Sequence, residues 1–327
     1  MSHNISICHI LHYWVFMTSY DSSFDKSLWV GRPDAFDQEY IYQIIEPIDL
    51  HHLKPDIKPG YALIGFQSDI GIQRNFGNIG AAYGPVEFRK SLAKMAVQQQ
   101  HLIYDAGNVS PDGDQLEKAQ KTLGALVKII LDHRLFPIVI GGGHETAWGH
   151  FQGIHAHFLD QDIAILNFDA HFDLRHAPQS TSGTPFRQIH QHLQKNNQPF
   201  YYYCVGIQPH ANTLGLFNYA KEHHVKYLLA QDIHEKQNNT HFIEDIIARH
   251  QKIYVSICLD VFAASVAPGV SAPQPFGIYP DYVFRALKKL KNSQKVVALD
   301  IVELSPQYDI QQHTAKLAAA LIHSFLE

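Results

Sequence analysis

The run Ile163-Ala164-Ile165-Leu166-Asn167-Phe168-Asp169-Ala170-His171-Phe172-Asp173 changes character after Phe168. Its first half is short and apolar, as expected of a strand buried on both faces. Its second half sets a carboxylate, an imidazole and a carboxylate at 169, 171 and 173. Side chains alternate faces in an extended segment, so these three share one side. That much polarity at a buried strand end is costly without a cation or other partners. Oxygen-rich ligands with some imidazole favour a hard or borderline divalent ion such as Mn2+ over a thiolate-type zinc site. The plain alternative is a solvated turn with a helix cap.

Runs of the same kind recur along the chain. Tyr61–Phe66, Leu102–Tyr104, Phe136–Ile140, Ile163–Phe168, Tyr202–Val205, Tyr227–Leu229, Ile253–Leu259 and Val296–Val302 read as buried strands. Amphipathic helical patterns lie between them, at Pro85–Met95, Leu116–His133, Tyr282–Leu290 and Thr314–Phe325. This alternation predicts an α/β fold, a three-layer αβα arrangement with a mainly parallel central sheet of about eight strands. No repeat or low-complexity linker divides the chain, so residues 29–327 are expected to form one domain. Residues 1–28 read as an N-terminal extension. Its apolar stretch Ile5–Met17 is too short to span a membrane and lacks the basic start of a signal peptide. A loosely held segment, an upstream start before Met17 and a docked arm are all open readings.

Ligands of such sheets bind beyond the carboxyl ends of the strands. Two more polar clusters stand there. Gly141-Gly142-Gly143-His144-Glu145 follows Phe136–Ile140, and its glycines permit a tight turn that presents His144. It matches no phosphate-loop pattern. Ser256-Ile257-Cys258-Leu259-Asp260 closes the run Ile253–Leu259, with Cys258 and Asp260 on one face. Taken alone, Asp260 serves equally well as a helix cap.

Composition excludes more than it identifies. The 327 residues carry 26 basic and 31 acidic side chains, a formal charge of −5. No basic excess calls for nucleic acid, and no segment calls for a membrane. Three cysteines, Cys8, Cys204 and Cys258, cannot build a disulfide framework, which fits a reducing cytoplasm. Histidine is abundant at 23 copies, yet only His144 and His171 fall in the clusters.

The three motifs together resemble the ureohydrolases, the superfamily of arginase, agmatinase and formimidoylglutamase. The resemblance runs from about Trp29 to the C-terminus and includes an early loop over Ser68–Asn75, with Gly77, Gly80, Ala81, Gly84 and Pro85. It implies an arginase-like fold and two Mn2+ ions with hydroxide held between them. One ion would take His144, Asp169 and Asp173, the other Asp169, His171 and Asp260. Cys258 stands where most of the superfamily has a bridging aspartate. A thiolate is a softer ligand, so two ions are expected with one held more weakly. The alternative is an inert buried thiol in a site with one ion or none.

Within the superfamily the chain looks most like formimidoylglutamase. The carriers are Asp169–Arg175 with Ser182-Gly183-Thr184-Pro185-Phe186, Gly143–Gly149, and above all Ala267-Pro268-Gly269-Val270-Ser271-Ala272-Pro273. Phe186 occupies the place of an arginase histidine. That likeness implies a small-molecule substrate, N-formimidoyl-L-glutamate, hydrolysed to L-glutamate and formamide by hydroxide attack on the amidine carbon. Its two carboxylates need cationic or amide partners, for which Arg74, Asn75, Arg175 and Arg187 are candidates, with Ser182 and Thr184 in the substrate loop. Glu303 is expected to orient the amidine, in preference to Asp300 on the opposite strand face. Asp173 is expected to relay a proton to the leaving amine. Two other readings stand beside this one: a ureohydrolase of a guanidino acid or agmatine, and a non-catalytic binding protein that kept the fold. Family members are commonly homo-oligomers, but no apolar stripe identifies an interface. His150, His176, His51-His52 and His223-His224 are expected at solvated positions.

Overall fold

The strands are β1 (Tyr20–Asp21), β2 (Ile45–Pro47), β3 (Tyr61–Phe66), β4 (Ile103–Val109), β5 (Phe136–Ile140), β6 (Ala164–Phe168), β7 (Tyr201–Ile207), β8 (Lys226–Leu229), β9 (Ile253–Cys258) and β10 (Val296–Val302). They form one sheet in the order β1-β4-β3-β5-β10-β9-β6-β7-β8, with β2 also paired to β4. Every pairing is parallel except that of β1 with β4. The structure is a computed structural model and describes residues 19–235 and 240–327.

Alternation along the strands explains the layers. Ile253, Val255 and Ile257 of β9 point into one core, while Tyr254 points into another. In β5, Ile138 and Ile140 join the first core and Val139 the second. The first core is covered by helices that include Gly84–Leu92, Pro280–Ser293 and the alanine-rich His313–Leu326. The second is covered by Leu116–Asp132, Thr146–His157 and Pro185–Lys195. Both faces of the sheet are thus apolar, which is why the central strands read as continuous hydrophobic runs.

The eight expected strands are present, and two more make ten. The additions, β1 and β2, are two and three residues long and too short to leave an apolar run. Strand β4 continues to Val109, beyond the expected end at Tyr104, because its polar Asp105 has a buried counter-charge. Arg89, only 1% exposed, donates to Asp105 from Nε and Nη2, to Asn108 from Nη1 and to the Gly107 carbonyl. Trp29 Nε1 donates to the same carboxylate at 2.8 Å. Residues 19–28 are tied to the sheet through β1 and the buried Leu28. Residues 1–18, with Cys8 and most of the expected extension, lie outside the described residues. Among the described residues no helix is long and apolar enough to cross a membrane.

Removing one partner of a buried ion pair strands the other charge, at a cost of about 3–5 kcal/mol. Arg89→Leu is therefore expected to lower stability by about that amount, read from the midpoint of urea unfolding at unchanged slope. A loss below about 1 kcal/mol would show that Asp105 is satisfied without it.

Candidate metal centre

Strands β5, β10, β9 and β6 are neighbours at the middle of the sheet and end at one level. Ile140 pairs with Ile301, Ile301 with Ile257, and Ile257 with Phe168. The residues that follow these strands are therefore side by side although far apart in sequence. His144 comes from the loop after β5, Asp169, His171 and Asp173 from the segment after β6. Cys258 and Asp260 come from the end of β9, and Glu303 from the residue after β10. Asp173 and Glu303 have φ of +47° and +70°, a sparsely populated region for non-glycine residues that this packing holds in place.

His144 Nδ1 is 3.0 Å from Asp169 Oδ2 and 2.8 Å from Asp173 Oδ2. His171 Nδ1 is 3.5 Å from Asp169 Oδ1 and 3.1 Å from Asp260 Oδ2. Asp169 is fully buried and shared between the two imidazoles. Ligand atoms of His144, Asp169 and Cys258 lie within 4.8 Å of one another, as do those of Asp169, His171 and Asp260. Two groups with one common carboxylate are what a pair of close cations requires.

The hydrogen bonds point the same way. Ser256 Oγ donates to Asp300 Oδ1 at 2.6 Å, since a carboxylate can only accept. Its lone pair is then left for His144 Nε2, 3.0 Å away, which must carry the proton. In the neutral ring that tautomer leaves the Nδ1 lone pair free for a cation, as in metal-binding imidazoles. Among the described residues no group makes a hydrogen bond of good geometry to buried His144 Nδ1 or to Asp260 Oδ1. Such orphaned atoms beside three carboxylates fit a divalent cation. Asp169 is oriented from behind by Asn167 Nδ2 at 3.0 Å, itself 3.0 Å from Tyr202 Oη.

The donor groups form one wall of a cleft of about 240 Å³. His144, His171, Asp173, Cys258, Asp260 and Glu303 line it, together with Asn75, Arg175 and Ser182. Glu303 accepts from the His144 N–H at 2.8 Å and from the Ser271 hydroxyl. Asp300 lies behind the site, where it accepts from Tyr254, Ser256 and His150. His150 is accordingly buried, in contrast to the solvated position expected for it. Thr184 and Arg187 are not among the lining residues. The Thr184 hydroxyl is spent on the Thr181 carbonyl and on Gln188. The Arg187 guanidinium stacks 3.9 Å over the Tyr219 ring. Arg74 pairs with Asp114 and Glu117 instead. Phe186 is buried against His144 and Tyr202. Sequence alone gives Ser256 and Ser271 no role of their own, although each lies within a quoted stretch, Ser256–Asp260 and Ala267–Pro273, because a serine carries no pattern until its partners are seen.

Burial opposes charge on His144, but Asp169 and Asp173 outweigh it and hold the imidazole pKa well above its ordinary value. His171 is raised in the same way by Asp260 and Asp169. Burial and the neighbouring Asp169 push Asp173 up to about 6, and burial with Asp260 pushes Glu303 up to about 8. Protons and cations thus compete for the same atoms. Metal uptake is expected to release protons, and apparent affinity to weaken from about pH 8 to about pH 5.5, measured by titration calorimetry in buffers of different ionisation enthalpy. A pH-independent affinity would contradict this arrangement. Ser256→Ala removes the partner that fixes the His144 tautomer and should weaken binding of one ion about 10–100-fold, with a loss of about 1–3 kcal/mol in stability because Asp300 keeps one donor fewer.

The chain is similar over most of its length to known proteins. Residues 59–327 match the model of the arginase family. A formimidoylglutamase of Legionella pneumophila (strain Paris) is 41% identical over 308 residues, spanning 93% of this chain and 96% of its own. The structure of Trypanosoma cruzi formiminoglutamase with Mn2+ is 25% identical, with a TM-score of 0.75 over 82% of this chain and 92% of its own. That of Bacillus subtilis formimidoylglutamase is 24% identical, with a TM-score of 0.77 over 97% of each chain. A parallel sheet that gathers paired donor groups at its carboxyl edge, and a match through to the last residue, have one common origin: the chain belongs to the arginase family.

Proposed function

We propose that this protein hydrolyses N-formimidoyl-L-glutamate to L-glutamate and formamide. The observation that carries the reading is the cleft itself. A cluster of cation-binding groups forms its wall, a carboxylate stands beside that cluster, and a guanidinium with amide and hydroxyl groups lines the same cleft. The 41% identical relative bears the name of this activity, and the Trypanosoma cruzi enzyme is described with Mn2+.

His144, Asp169, Asp173 and Cys258 would hold one Mn2+, and Asp169, His171 and Asp260 the other. When bound, such a pair supplies Lewis acidity that lets water act as a nucleophile near neutral pH. Glu303 faces the cationic amidine and holds its carbon in line with attack. Arg175 offers a two-pronged partner for a carboxylate, with Asn75 and Ser182 supplying weaker hydrogen bonds. Water adds to the amidine carbon, the bond from that carbon to the glutamate nitrogen breaks, and the nitrogen needs a proton. Asp173 lines the cleft beside the other cation-binding groups and is placed to pass it on. Phe186 is packed away from the cleft and has no proton to give.

The other readings are weaker. Agmatine has no carboxylate for Arg175 to meet. A lapsed enzyme would be expected to have lost more than one ligand, whereas the donor set is assembled around Cys258. Buried free thiols at Cys204 and Cys258 suit a cytoplasmic enzyme.

The test is to load the protein with Mn2+ and offer it formimidoylglutamate, arginine and agmatine in turn. Formamide and glutamate from the first alone are expected. Urea from arginine or agmatine, with no formamide, would overturn the assignment. Asp173→Asn is expected to lower kcat about 100-fold or more, and full turnover by that variant with metal bound would remove Asp173 from the proton route.

A further inference from the structure

We infer that Glu145, which does not line the cleft, is the positioning residue that joins the two substrate-facing loops to the metal-bearing strand end. The inference rests on the reading that Asn75, Arg175 and Ser182 meet the substrate's carboxylates.

Glu145 follows the ligand His144 directly and is fully buried at the start of the helix Thr146–His157. Its Oε1 accepts the Gly71 N–H at 3.0 Å and the Ser68 hydroxyl at 3.2 Å. Both donors belong to the early loop. The Gly71 carbonyl in turn accepts the Ser182 N–H and the Asn75 N–H, each at 3.0 Å. Asn75 Nδ2 reaches Ser182 Oγ at 3.1 Å, and the Arg175 N–H reaches the Gly183 carbonyl at 2.9 Å. One carboxylate oxygen thus begins a continuous chain of bonds that ends at all three substrate-facing residues. The Glu145 main-chain carbonyl adds a second tie. It accepts Gln120 Nε2 at 2.7 Å, and that amide also donates to Ser180 Oγ at 2.9 Å.

Packing makes the tie rigid. A Cβ at Gly71 or at Gly143 would collide with the Glu145 side chain, so the loop and the strand end close on it from both sides. Buried and pinned in this way, Glu145 touches neither substrate nor reacting atoms. Its effect belongs in the placement of the loops.

Glu145→Ala and Glu145→Asp withdraw the acceptor, whereas Glu145→Gln keeps an oxygen at Oε1. Oε2 makes no hydrogen bond among the described residues, so an amide nitrogen there breaks none. The Ala and Asp variants should raise KM for formimidoylglutamate about tenfold or more, with kcat near wild type and two Mn2+ per chain retained. The Gln variant should restore KM. Hydrogen exchange should quicken in residues 68–75 and 180–184 of the Ala and Asp variants and not in the Gln variant. Unchanged KM and exchange in both shortened variants, or loss of metal with exchange unaltered, would overturn the inference. If the wild type fails to turn over formimidoylglutamate, the functional reading falls, and the exchange data still decide the role of Glu145.

Discussion

Asp169, Asp173 and Asp260 converge on two imidazoles at the carboxyl edge of a sheet whose interior is apolar on both faces. Like charges so close, away from water, repel strongly unless positive charge is supplied. The rest of the site follows from that demand. In the metal-free protein it lifts the affinity of His144 and His171 for protons. Cations would relieve the same repulsion, and Asp169, within reach of both imidazoles, is placed to serve two of them.

Such a cluster is held in place by the hydrogen-bonded groups behind it. Asp300 gathers three donors, and through Ser256 it dictates which nitrogen of His144 is free. Asn167 and Tyr202 do the corresponding work for Asp169. Both Asp173 and Glu303 adopt unusual backbone where their carboxylates line the cleft. Strain of this kind costs about 1–3 kcal/mol per residue and persists where the surroundings leave no alternative. The Arg89–Asp105 pair plays no part in the chemistry, but it lets a polar strand complete the sheet near its edge.

The strongest readings from sequence concerned the central strands and the ligand motifs. β3 and β5 have the expected bounds because their runs hold no charged residue, and β10 has them because apolar residues resume on both sides of Asp300. β4 was read short because the polarity of Asp105 looks like a strand end until Arg89 is seen beside it. Thr184 and Arg187 were nominated from nearness to a motif, yet chain proximity says nothing about direction once a helix begins at Pro185. Arg175, just before that turn, does line the cleft.

By itself the sequence determined the α/β alternation, since period and run length are local properties of the chain. It also singled out the candidate ligand types through the Asp-x-His-x-Asp spacing, although the segment after Phe168 bends instead of continuing as a strand. Strand order was beyond it. Only the tertiary structure set β5, β10, β9 and β6 side by side in register, and so brought residues 144, 171, 258 and 303 into one cleft. The same is true of the tautomer of His144 and the place of Glu145. Both depend on hydrogen bonds between segments more than 70 residues apart, which no local pattern encodes.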